Sequence, residues 1–121
     1  MQSEPPLIQV EATAKFKRNL RILAKKYRNI SNDIQPIIEQ LQSGKLPGDK
    51  IPGVGYTIFK LPVKKSDVQK GKSGGYRVIY YLKTDTNIIL VTIYSKSEQE
   101  DISAEEIQQI LADFKQQHQE E

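Results

Sequence analysis

GYRVIYYLKTDTNIILVTIYS, residues 75–95, decides the fold. Residues 75–83 and 87–95 each read as a strand, and Thr84 to Thr86 turns the chain between them, so the pair should form an antiparallel hairpin. The second strand is apolar at consecutive positions from Ile88 to Val91, which argues for a central place in a sheet covered on both sides. On the first strand, alternation puts Arg77, Ile79, Tyr81 and Lys83 on one face and Tyr76, Val78, Tyr80 and Leu82 on the other. Tyr80 is assigned to the core with an exposed hydroxyl tip. Arg77 stands among large apolar residues, and a charge in a sheet is costly unless it lies on an open face or meets a partner. Its place therefore signals either a ligand or a structural pair with an acidic residue such as Asp101.

Outward from the hairpin, a further strand is expected at about 56–63. It is followed by KKSDVQKGKSGG, residues 64–75, a polar and basic loop of the kind that carries contacts on a rigid scaffold. Before it, GKLPGDKIPGVG, residues 44–55, has four glycines and two prolines and reads as a connector. LIQVEA, residues 7–12, makes a short strand, and Thr13 can cap the helix that follows. Phe16, Leu20, Leu23 and Tyr27 form that helix's apolar stripe, with Lys17, Arg18, Arg21, Lys25 and Arg28 on the opposite, solvated side. A second helix starts near Ser31 to Asp33, with Pro36 in its first turn, Ile34, Ile37, Ile38 and Leu41 as its stripe, and Gly44 where it stops. Ser103 and Glu106 form a capping box before Ile107, Ile110, Leu111 and Phe114 of a final helix. The order is β-α-α-β-β-β-α. The expected fold is α+β, one small domain over 1–121 with frayed ends at 1–6 and 116–121, in which a curled, mostly antiparallel sheet packs with two N-terminal helices and a C-terminal helix.

Composition narrows the function. The 121 residues contain no cysteine, which removes disulfides, thiolate chemistry and cysteine metal sites. Residues 1–14 lack a signal-peptide pattern and the longest apolar run is far too short to cross a bilayer, so a soluble cytoplasmic protein is expected. The net charge of +3 hides a segregation. Residues 14–28 hold seven basic residues and no acidic one, whereas residues 98–121 hold eight acidic residues against Lys115. A basic body with an acidic end suits a polyanion such as nucleic acid, and equally a solvated, segregated surface. If the faces of neighbouring strands coincide, Arg77, Lys60, Lys64, Lys96, Tyr81 and Tyr94 share one side of the sheet. Cations beside aromatic rings suit RNA, whose phosphates pair with the former and whose bases stack on the latter.

GKSGGYRVIYYL, then ILVTIYSKSEQEDIS, then EEIQQIL resemble the toxins of RelE/HigB-type toxin–antitoxin modules, within the RelE/ParE superfamily, over about residues 7–115. The resemblance implies an enzyme, an endoribonuclease that cuts mRNA on the translating ribosome without metal or cofactor, through attack of a 2′-hydroxyl on its neighbouring phosphate. It implies a phosphate clamp at Arg77, base or electrostatic support at Lys60, and phosphate binding or leaving-group assistance at Lys96. Tyr94 would replace the C-terminal tyrosine of one branch, which has no counterpart between Glu98 and Glu105. Lys64, Lys65, Lys70, Lys72 and Tyr81 would contact RNA. Ile58 stands where that branch has a second strand lysine, and Ser97 where it has an arginine. The expected partners are mRNA, the ribosome and a cognate antitoxin, often one with a helix-turn-helix. Two alternatives stay open: a ParE-like DNA gyrase inhibitor without nuclease activity, and a catalytically inactive homologue that binds an antitoxin. His118, the chain's one histidine, lies in a polar tail and is read as incidental.

Overall fold

A computed structural model describes residues 8–66 and 74–117. The elements run β1 (Gln9–Ala12), α1 (Ala14–Lys26), α2 (Ile30–Gln42), β2 (Asp49–Ile51), β3 (Ile58–Val63), β4 (Tyr76–Thr84), β5 (Asn87–Ser95) and α3 (Ala104–Gln117). One five-stranded sheet has the order β1-β5-β4-β3-β2, with β1 parallel to β5 and the remaining pairs antiparallel. The architecture is α+β as expected, with one strand more than the sequence reading foresaw. β2 lies inside the expected connector and pairs Asp49 with Lys60 and Ile51 with Ile58. Three residues between glycines and prolines carry no periodicity of their own, and the edge of β3 supplies the missing hydrogen bonds.

The sheet is the middle of three layers. Phe16 and Leu23 of α1 and Ile30, Ile34 and Leu41 of α2 bury against Leu61, Val63, Tyr76, Val78, Tyr80, Ile88 and Leu90. Ile107, Ile110 and Leu111 of α3 cover the other side, against Ile58, Ile79, Val91 and Tyr94. β5 is therefore apolar on both faces because helices lie on both. Among the described residues, no helix is long and apolar enough to cross a membrane.

Local chemistry fixes the joints. Thr13 caps α1 by accepting from Phe16 N at 3.0 Å, and its hydroxyl donates to Val91 O at 2.7 Å, locking the helix start onto the sheet. α2 ends in a Schellman motif: Gly44, at φ +95°, lets Lys45 N reach Gln40 O at 2.9 Å and Gly44 N reach Leu41 O at 3.1 Å. α2 also begins at Ile30, earlier than expected, so Pro36 falls in its second turn. The bond Pro36 cannot donate would have gone to Asn32, and both residues are exposed, where solvent is available to that carbonyl.

Phe59 and Tyr80 stack at 5.0 Å, and the Tyr80 hydroxyl, expected to be exposed, is instead covered by the stretch before β2 and donates to Pro47 O, tying that stretch to the core. Tyr80→Phe leaves that carbonyl without its donor and should cost about 1 kcal/mol. Equilibrium urea unfolding would show this as a lower midpoint with an unchanged slope.

Candidate functional site

Strand register brings the cationic residues together. Arg77 on β4 pairs with Tyr94 on β5 and with Pro62 on β3, and Lys60 pairs with Ile79. Period-two alternation then puts Lys60, Arg77 and Tyr94 on one face, the face α3 covers. After β5 the chain turns back over this end of the sheet through Lys96 to Asp101 before entering α3. Lys96 N donates to Gly75 O at 2.9 Å, which holds the start of that segment against the end of the 64–75 loop.

Each charged group has an internal partner. Arg77 Nη1 donates to Gly74 O at 2.7 Å and to Tyr76 O at 3.1 Å. Lys60 Nζ meets Asp101 Oδ1 at 3.1 Å, and Lys96 Nζ donates to Glu100 O at 2.8 Å. Asp101 thus pairs with Lys60, whereas the guanidinium of Arg77 is aimed by carbonyls and keeps its charge uncompensated by any described carboxylate in contact. Asp101 lies two-thirds exposed, and the Ile102 N–H, the Lys60 ammonium and the Lys96 charge hold its carboxyl below the usual range. It is ionised at neutral pH. It is also the member of the cluster that sequence reasoning assigned only a structural role. The signal available was an acidic residue just ahead of a capped helix that follows the last strand.

Tyr94 is 5% exposed, and among the described residues no group stands within hydrogen-bonding geometry of its hydroxyl, although the Asp101 carboxylate is close enough to act on it. Burial first, then the Asp101 carboxylate, pushes its phenol up to about 12, with Arg77 acting in the opposite direction. Tyr80 is raised to about 12 by burial alone, and Tyr27 is lowered, chiefly by Lys65. An ultraviolet phenolate titration should therefore show Tyr27 ionising early and Tyr80 and Tyr94 holding out to about pH 12, with the late amplitude reduced in Tyr94→Phe. A raised folded-state value stabilises the fold fully below the unfolded value of about 10, and that contribution is lost as pH rises through about 12.

The remaining expected residues separate. Tyr81 shares the face of Arg77 but lies four residues along the strand, roughly 13 Å away. Its ring meets Tyr56 edge-on at 5.2 Å, at the margin of the α3 cluster. Lys64 is exposed at the end of β3. Lys65 departs from its expected place: it is 5% exposed, with its ammonium 4.1 Å from the Tyr27 ring centroid and donating to Ser95 Oγ at 2.6 Å. Alternation carried past Val63 turns it to the face that α1 and α2 cover, where it packs on Tyr27 and Tyr76 instead of lining the cationic face. Strict alternation would put Thr92 on the face of Tyr94, but a bulge between Ile79 and Tyr80 interrupts the alternation of β5, and the Thr92 hydroxyl accepts from Asn19 Nδ2 of α1 at 3.0 Å. Lys70, Lys72 and His118 lie outside the described residues.

A cationic, half-buried sheet end, crossed by the segment leading into the last helix, can bind a phosphate and stabilise charge that develops on it. The family model for the RelE toxin of the RelE/RelB toxin–antitoxin system matches residues 12–120. That match runs from the end of β1 through α3, and the chain belongs to the RelE toxin family, whose members pair with RelB-type antitoxins.

Proposed function

We propose that this toxin is an endoribonuclease that blocks translation by cutting mRNA on the ribosome. One observation carries the reading: Arg77, Lys60, Lys96 and Tyr94 converge at one end of the sheet, with Arg77 oriented by two backbone carbonyls. In the proposed reaction a 2′-hydroxyl attacks the adjacent phosphate and expels the 5′-oxygen, leaving a 2′,3′-cyclic phosphate; the chemistry needs no metal or cofactor. Arg77 would clamp the phosphate as charge builds on it, with its fork matching two oxygens. Lys60 would add positive charge from β3, or act as base, and Lys96 would bind backbone phosphate or protonate the leaving oxygen. Lys64, Tyr81, Lys70 and Lys72 would extend the contact along the RNA. The described site holds no histidine to move protons, so positioning by the ribosome would supply part of the rate. A cognate antitoxin, with a helix-turn-helix for its operator, would silence the toxin by laying an acidic segment over this surface.

Purified toxin mixed with an mRNA, with and without programmed ribosomes, tests the reading. Cleavage only with ribosomes, at ends bearing a cyclic phosphate, is the expected result. Intact RNA in both mixtures, together with accumulation of gyrase-linked DNA breaks in cells, would replace the nuclease with a gyrase inhibitor.

A further inference from the structure

We propose that Asp101 is the proton acceptor of the reaction, taking the proton from the attacking 2′-hydroxyl; this rests on the nuclease reading above. The carboxylate stands at the cationic sheet end, its Oδ1 held by Lys60 Nζ at 3.1 Å and by Ile102 N at 2.8 Å. Two donors fix its orientation while four lone-pair sites per carboxylate leave capacity for a third. The side chain is two-thirds exposed, so an RNA hydroxyl can reach it. Lys60 enters its ion pair as an ammonium, a donor without a lone pair to receive a proton, which suits it to orienting the base more than to being one. Lys96 is likewise an ammonium donor, its Nζ held by Glu100 O at 2.8 Å. Of the groups brought together here, the carboxylate is the one that is both accessible and able to accept a proton.

Lys60 from β3 and Lys96 from the turn after β5 act on Asp101 directly, and Asp101 in turn acts on Tyr94 from β5, which is also under the charges of Arg77 from β4 and Glu106 from α3. The step balances with them. Asp101 takes the 2′-hydroxyl proton as the O2′–P bond forms, the P–O5′ bond breaks, and the Lys96 ammonium gives a proton to the departing 5′-oxygen. Arg77 holds the charge on the non-bridging oxygens, and solvent afterwards restores both proton carriers. The same geometry explains how a site without a described histidine can start the reaction.

The test is single-turnover cleavage on programmed ribosomes by wild type, Asp101→Asn, Asp101→Glu and Arg77→Ala, across pH. Asparagine keeps the shape and an acceptor for Ile102 N and Lys60, so the fold should persist. The expected result is a loss of about 10²-fold or more in Asp101→Asn at neutral pH with ribosome binding unchanged, and partial recovery in Asp101→Glu. Hydroxide should replace the missing base, so the ratio of wild-type to Asp101→Asn rates should shrink about tenfold per pH unit as pH rises. Ratios taken this way cancel any pH effect on the ribosome itself. An Asp101→Asn toxin that cuts as fast as wild type, or faster, would overturn the proposal and make the carboxylate a counter-ion that RNA displaces. A loss with a pH-independent ratio would overturn it too, leaving Asp101 a structural partner of Lys60. In both cases a slow Arg77→Ala would preserve the nuclease reading, whereas a wild-type toxin that cuts nothing would end that reading and this inference together.

Discussion

Arg77→Ala should lower mRNA cleavage by roughly 10²–10³-fold, the loss measured where a single donor to a developing oxyanion is removed. The expected cost to the fold is small. The side chain is half-buried at the end of the sheet, and its acceptors, Gly74 O and Tyr76 O, lie where water can reach at least the first of them. Removal therefore strips a charge aimed at the phosphate and leaves the core intact. Arg77→Lys should recover little. A lysine ammonium can occupy the same region, but it cannot hold two carbonyls and two phosphate oxygens in one plane. Single-turnover rates beside thermal midpoints would separate the two effects: a rate loss with an unchanged midpoint is expected, and a parallel fall in both would mean that Arg77 serves the fold.

The second large effect is expected at Gly75, which joins the loop to β4. Its φ is +78°, and a Cβ there would stand 2.2 Å from Val63 O, a backbone atom that cannot step aside without breaking the β3–β4 pairing. Strain in the left-handed region costs roughly 1–3 kcal/mol, and the clash adds to it, so Gly75→Ala should lose roughly 3 kcal/mol or more. That is a large share of the 5–15 kcal/mol typical of a domain. Gly53 is the control. It has φ +80° and nothing within 4 Å of an added Cβ, so alanine there meets only the backbone strain. Gly75 also connects stability to function, because its carbonyl accepts from Lys96 N and its neighbour's carbonyl orients Arg77. Any Gly75→Ala protein that survives should be a poor toxin. Denaturant midpoints for the two alanine variants would decide: equal shifts would show that the approach to Val63 O is not tight.

The hairpin of β4 and β5, the two N-terminal stripes and the capped last helix were legible because each is written as a local period with a local stop signal. Arg77 was legible for a different reason, being a charge placed where an apolar residue would be cheaper. What escaped the sequence reading is long-range. β2 exists because β3 offers it an edge, and the bulge in β5 is set by pairing with β4, so neither has a signature in its own residues. Alternation beyond Val63 would have sent Lys65 to the Tyr27 side, but treating the loop as one basic unit concealed that parity. Asp101 was foreseen only as a possible counter-ion of Arg77, because its actual partner, Lys60, is 41 residues away. Charge in the sequence suggested a cationic surface, and only the fold shows a carboxylate set within it.

The central claim is that the sheet end built around Arg77 cuts translated RNA. It is tested most directly by brief induction of the wild-type and Arg77→Ala proteins in bacteria, with the 5′ ends of transcripts mapped in both. New ends confined to translated regions and absent with Arg77→Ala are the predicted result. Growth arrest without such ends, or ends that persist undiminished with Arg77→Ala, would contradict it.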